Sequence, residues 1–343
     1  MRSIHQAILF ACALACVTPA QAANESVASF YAGRTVTIYP GFAPGGSAAL
    51  YSEALSRHMS RFIPGNPMMN VQHMPGAGGL TVMNYIANTA ARDGTAFSIT
   101  DRTAAFGPLM GNDNSKFDGR KLTWIGSANI ESTTCVIWHT SPVKTIEDAK
   151  KHDIVIGASG ATASEVVYAK AVNELIGTRF KFVIGYRGSH DTDLAMERGE
   201  VQANCGLGWT VVKNRHPSWL AKNEVRLLYQ IALSKHPELP DVPLIIDYAK
   251  TPEDRRIFEF LFSPQEMGRP FFAPPGVPEE RAAALRDAFM ATLKDPQFLA
   301  DATRLGLEVQ PLDGAAVQKI VDRMYSTPAA TLDRIKKIMN SGT

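Results

Sequence analysis

The chain has no Gly-Lys-Ser/Thr phosphate loop, and Gly41 to Gly46 does not fit the Gly-x-Gly-x-x-Gly dinucleotide fingerprint. Its eight histidines form no His-Glu-x-x-His and no close Cys/His set, so neither a metal nor any other cofactor is expected. His73 and His139 read as strand-end or packing residues. The net charge is only +2 and there is no basic stripe, which excludes nucleic acid as a partner. No internal stretch is long and apolar enough for a membrane helix, and there is no short repeat or low-complexity segment. Cysteine is scarce: Cys12, Cys16, Cys135 and Cys205.

The first two cysteines belong to a targeting segment. Arg2 supplies a positive start, Ala7 to Val17 an apolar run too short to span a bilayer, and Ala20-Gln-Ala22 a small-x-small cleavage site. Residues 1–22 are therefore expected to be a signal peptide, cut after Ala22, with export to the periplasm. Leu14 precedes Cys16 one place off the lipobox position, which favours ordinary cleavage. Cys135 and Cys205 remain. An even pair in an exported chain invites a disulfide; two separate buried thiols are the alternative. About 320 residues are left, more than the roughly 250–300 that one core serves, so two lobes are expected.

The chain is organised around Thr35-Val-Thr-Ile-Tyr-Pro-Gly-Phe-Ala-Pro-Gly-Gly-Ser47. Val36 and Ile38 alternate with threonines as a strand requires, and two prolines and three glycines then forbid regular structure. Ser47 is placed to cap a helix whose apolar face is Tyr51, Leu55, Met59 and Phe62. Such a turn leaves free amides at a helix start, beside glycines that let an anion come close. Met74-Pro-Gly-Ala-Gly-Gly79 repeats the design before the helix 80–91. Gly157-Ala-Ser-Gly-Ala-Thr-Ala-Ser164 and Tyr186-Arg-Gly-Ser189 are a third and a fourth turn.

Strand signals at 34–39, 69–73, 95–100, 133–139, 153–157, 180–185, 201–206 and 225–231 alternate with helix signals at 47–62, 80–91, 162–176 and 189–198. This predicts an α/β fold with mainly parallel sheets and helices on both faces. From Pro278 the chain reads as packing helices, with apolar faces such as Leu285, Phe289 and Leu293. Trp138 and Trp209 read as core.

Phe30-Tyr-Ala-Gly-Arg-Thr-Val-Thr-Ile, Ala43-Pro-Gly-Gly, Ile63-Pro-Gly-Asn-Pro, Met74-Pro-Gly-Ala-Gly-Gly and Arg92-Asp-Gly-Thr occur in this order, followed by Gly185-Tyr-Arg-Gly-Ser, Met196-Glu-Arg-Gly-Glu-Val and Ala273-Pro-Pro-Gly-Val-Pro. The series resembles the periplasmic solute-binding receptors of tripartite tricarboxylate transporters, the TctC or Bug family, over nearly all of the mature chain. The resemblance implies a two-lobed periplasmic-binding-protein type II fold with an interlobe cleft. Lobe one would be 23–125 plus 240–343 and lobe two 126–239. It implies a monomeric receptor without catalysis, a small carboxylate ligand and membrane permease subunits as partners.

Carried over by resemblance, one wall of the cleft is Phe42, Ala43, Pro44, Gly45, Gly46 and Ser47, with Pro75, Gly76, Ala77, Gly78 and Gly79 beside it. The facing wall is Ser159, Gly160 and Thr162 with Tyr186, Arg187 and Gly188. Tyr186 also reads as a partly buried ring at a strand end. Arg187 and Arg102 are candidates to meet a second carboxylate in bidentate fashion. Related sequences often carry an aspartate shortly after the glycine pair. Here Ala48, Ala49 and Leu50 stand there, which tilts the expectation toward plain carboxylates over amino acids. Two rival readings stay open. One is a hydrolase, since Gly157-Ala-Ser-Gly-Ala161 misses the Gly-x-Ser-x-Gly elbow only at its last position. The other is a ligand sensor feeding a membrane signalling protein.

Overall fold

The structure, a computed structural model, describes residues 26–341. The targeting segment, with Cys12 and Cys16, lies outside the described residues. Eleven strands form two sheets: β1 (Thr35–Pro40), β2 (Met68–Val71), β3 (Ala96–Ile99), β4 (Thr123–Ser127), β5 (Thr133–Trp138), β6 (Ile154–Ala158), β7 (Phe180–Ile184), β8 (Ala203–Gly208), β9 (Val225–Ile231), β10 (Pro270–Ala273) and β11 (Leu312–Asp313). The first sheet runs β11-β4-β10-β3-β1-β2 and the second β7-β6-β8-β5-β9.

Both sheets are mixed. The parallel part is confined to β2-β1-β3 in one and β7-β6-β8 in the other. These are the segments that alternate with helices. β10, β11, β5 and β9 pair antiparallel. The expectation of mainly parallel sheets thus holds for the strand-turn-helix units and not for the strands that cross between them. Gly126 lies inside β4, and the chain leaves the first sheet after Ser127. It returns at Pro270, after the helix Pro252–Phe262 has packed on the helix Ser164–Ile176.

Strand alternation sends side chains to both faces of each sheet. On one face of the first sheet Val36, Ile38, Phe97, Ile99 and Phe271 meet Leu55, Leu285 and Phe289. On the outer face of the second, Val136 and Trp138 pack with Leu207, Trp209 and Trp219. Trp138 and Trp209 are both core, and the Trp209 indole donates to Glu238 at 2.6 Å. The remaining faces share one core. Val82, Trp124, Phe258, Phe262, Phe272 and Val321 run on into Ile137, Val167 and Tyr168 of the second sheet and its helix. The last helix, Ala329–Asn340, fastens this junction: it packs on Ser164–Ile176, and Lys170 Nζ donates to the Met339 carbonyl at 2.7 Å.

Cys135 on β5 and Cys205 on β8 are joined by a disulfide across 70 residues of chain. Elsewhere the surface is tied by ion pairs. Asp301 accepts from Arg57 at 2.6 Å, lies 3.2 Å from His58 Nε2 and also accepts from Arg304. Burial pushes the Asp301 carboxyl up, but the hydrogen bonds from Arg57, Arg304 and His58 outweigh it and hold the carboxyl at about 2. A depressed carboxylate stabilises the fold above its unfolded value near 3.9, and that contribution disappears as pH falls through about 2. Acid titration of stability from pH 5 to 2 should therefore be shallower in Asp301→Asn than in the parent chain.

Candidate functional site

Three helices start at one cleft between the sheets: Ser47–His58 from the first half, and Ser164–Ile176 and Ser189–Glu197 from the second. Their N-cap residues are Gly46, Ala163 and Gly188, and none supplies a side-chain cap. Elsewhere the pattern is mixed: Ser26, Thr145, Thr251, Asp295 and Asp313 cap their helices, while Glu279–Thr292 and Ala329–Asn340 start after prolines with no side-chain cap. An uncapped first turn that faces a cavity keeps its amides for another acceptor. Ser47 is not the cap it was expected to be. It is the first helical residue, and its hydroxyl accepts from Arg269 Nη2 at 3.0 Å.

These starts line a cavity of about 70 Å³, open at its mouth, together with Phe42, Arg102, Ser159, Leu207 and Arg269. Arg102 extends from the first half into the second, where it donates to Thr133 Oγ1 at 2.6 Å and to the Tyr168 hydroxyl at 3.3 Å. Burial alone would lower its pKa, but Tyr168, Asp101 and Glu131 outweigh burial and keep the guanidinium charged. Arg269 stands 3.0 Å from the buried Glu131 carboxylate. Asp101 accepts from the Thr103 amide at 2.9 Å and from Ser164 Oγ at 2.9 Å. Glu165 Oε1 accepts from the Ser159 amide at 2.8 Å and hydroxyl at 2.9 Å. Burial, and then the charge of Asp101, push the Glu165 carboxyl up.

The two halves are closed on each other. The Ala43 amide donates to the Arg187 carbonyl at 2.9 Å, and the Gly78 amide to the Ser159 carbonyl at 3.1 Å. Arg215 Nη2 reaches the Gly45 carbonyl at 2.6 Å, and Thr162 Oγ1 the Ala77 carbonyl at 3.3 Å. The expected site residues divide accordingly. Phe42, Gly46, Ser47, Arg102 and Ser159 line the cavity. Ala43, Gly45, Ala77, Gly78, Gly160, Thr162 and Arg187 serve at the contact between halves, with Pro44 exposed beside them and Pro75, Gly76 and Gly79 completing the turn. Gly188 backs onto Phe42, and the half-buried Tyr186 ring packs on Gly157.

The lining also holds residues that sequence reasoning missed: Asp101, Ser164, Glu165, Thr192, Asn204 and Arg269. Gly206-Leu-Gly208, the glycine-flanked end of β8 before Trp209, was a readable signal of a strand leading into a helix. Arg269, one residue ahead of β10, had no local pattern to mark it.

Two α/β halves closed over a cavity lined by helix starts define a two-lobed solute-binding protein. Solved structures share the fold. The periplasmic binding protein BugD has a TM-score of 0.71 at 21% identity, covering 90% of this chain and 98% of its own. MatC from Rhodopseudomonas palustris, solved with bound malate, has 0.69 at 18%, covering 90% and 99%. A TctC solute-binding protein from Polaromonas has 0.60 at 17%, covering 91% and 100%. No curated protein sequence matches the chain. Residues 58–330 match the family described as "TctC: Tripartite tricarboxylate transporter family receptor", and the chain belongs to that family.

Proposed function

We propose that this receptor captures a small carboxylate in the cleft and delivers it to the membrane permease subunits of a tripartite tricarboxylate-type transporter. One observation carries the reading: uncapped helix starts from both halves meet at a single cavity that also holds Arg102 and Arg269. Each hydrogen bond to a charged group contributes roughly 1.5–3 kcal/mol, so a few amides offset much of the desolvation of a carboxylate. Binding selects the closed form. The malate bound to MatC is in keeping with this class of ligand.

Catalysis is not part of the proposal. The Ser159 hydroxyl, the one nucleophile suggested by the near-elbow, donates to Glu165, and no histidine lines the cavity. The same reading takes the chain as a periplasmic monomer cut after Ala22. It takes the lobes as joined near Gly126 and again near Ile231 to Val242, with 126–239 as lobe two.

A thermal-shift panel of mono-, di- and tricarboxylates against their amides tests it. At a hundredfold excess over its dissociation constant, a true ligand adds about 2.7 kcal/mol, a shift of several degrees. A flat response to every carboxylate, with the amides no different, would sink the proposal.

A further inference from the structure

The cleft is polarised. At one end Ser47 meets Arg269, and Gly46 lies against Ser189: a Cβ added to Gly46 would stand 3.1 Å from Ser189 Oγ. Two open helix starts, those of Ser47–His58 and Ser189–Glu197, belong to this end. At the other end the protein supplies its own carboxylates. Asp101 from one half and Glu165 from the other flank the single hydroxyl of Ser164. That hydroxyl has one hydrogen, donated to Asp101 Oδ2 at 2.9 Å. Glu165 Oε2 is left 3.5 Å from the same oxygen, while Oε1 holds both donors of Ser159.

Charge balance points the same way. Arg102 and Arg269 face three carboxylates, those of Asp101, Glu165 and, directly behind Arg269, Glu131. In the layer behind, Arg215 is answered by Asp193. The three helix starts, at about half a charge each, bring the site only to about +0.5. A di- or trianion would enter with less than one countercharge. A molecule bringing its own cation would need no more.

We propose that the ligand carries an ammonium group as well as a carboxylate: the ammonium lodges against Asp101 and Glu165, and the carboxylate takes the helix starts of Ser47 and Ser189 beside Arg269. The substrate class is then amino acids or other ammonium-bearing carboxylic acids. The inference rests on the cleft being the carboxylate site. It reverses the tilt drawn from Ala48, Ala49 and Leu50, because acids from elsewhere in the chain take the place of the missing aspartate. Burial raises Glu165, so this carboxylate needs either a proton or a cation beside it.

The test is calorimetric titration of the intact mature protein with matched pairs that differ only in the amino group. Suitable pairs are aspartate and succinate, glutamate and glutarate, leucine and 4-methylpentanoate, and phenylalanine and 3-phenylpropanoate. In the pair that binds, the amino acid should be tighter by about 10- to 150-fold, the worth of one charge-assisted hydrogen bond. Asp101→Asn and Glu165→Gln should each shrink that gap, and N-acetylation of the ligand should abolish the preference. Equal or tighter binding of the deaminated member, strengthening as pH falls, would mean that Glu165 takes a proton instead, and overturns the ammonium while keeping the carboxylate site. Binding of no carboxylate in either series overturns both.

Discussion

Gly160→Val is expected to fold normally and to bind its carboxylate at least about a hundredfold more weakly, a loss of about 2.8 kcal/mol or more. A Cβ at Gly160 would stand 2.2 Å from the Gly78 amide nitrogen and 2.3 Å from the Ala77 carbonyl carbon. Both atoms are backbone of the opposite half, in the turn that clasps Ser159 to Thr162. Backbone cannot swing aside as a side-chain tip can, so the halves must part. Gly160 does not have a positive φ, so its own half accepts a branched residue. The variant therefore separates closure from folding. Calorimetry should show the lost affinity, small-angle scattering a larger radius with ligand present, and thermal unfolding little change. Ala161→Val, one residue along and exposed, is the control. Full affinity in Gly160→Val would mean that the clasp between these turns is not part of the bound state.

The second large effect concerns the disulfide. Cys135 and Cys205 pin two neighbouring strands of the second sheet across 70 residues of sequence. By the chain-entropy relation, cross-linking a segment of that length stabilises the fold by about 4 kcal/mol. Reducing the bond, or replacing both residues in Cys135→Ala/Cys205→Ala, should lower the melting temperature by about 6 °C or more. Part of the loss in the double variant comes from the missing sulfurs, because both positions are fully buried. Comparing oxidised with reduced parent protein isolates the cross-link. Two titratable thiols in the unreduced, denatured protein would overturn the assignment.

What was legible in the sequence follows physical lines. β1, β2, β6 and β7 announced themselves by the glycine or proline turn that follows each one, and β1 also by its alternation. β4, β10 and β11 did not. They contain Gly126, begin at Pro270, or last only two residues, and pairing with neighbours makes them strands, not intrinsic preference. The turns were legible as turns, but the task of each glycine was not. Gly46 lines the cavity while Gly78 and Gly160 touch across the halves, and that division depends on an approach between segments some eighty residues apart. Asp101, Glu165 and Arg269 carry no local signature at all. Only the closed arrangement puts the two acids on either side of Ser164 and sets the arginine against Ser47.

The shared core behind the cleft has its own consequence. Phe106, Val167, Phe260, Leu261 and Met324 meet there from both halves, and the last helix is fastened over the joint by Lys170. The joint keeps the two halves in register at the back of the cleft. A change of gape is then felt first at the rim, where the turns of one half clip onto those of the other.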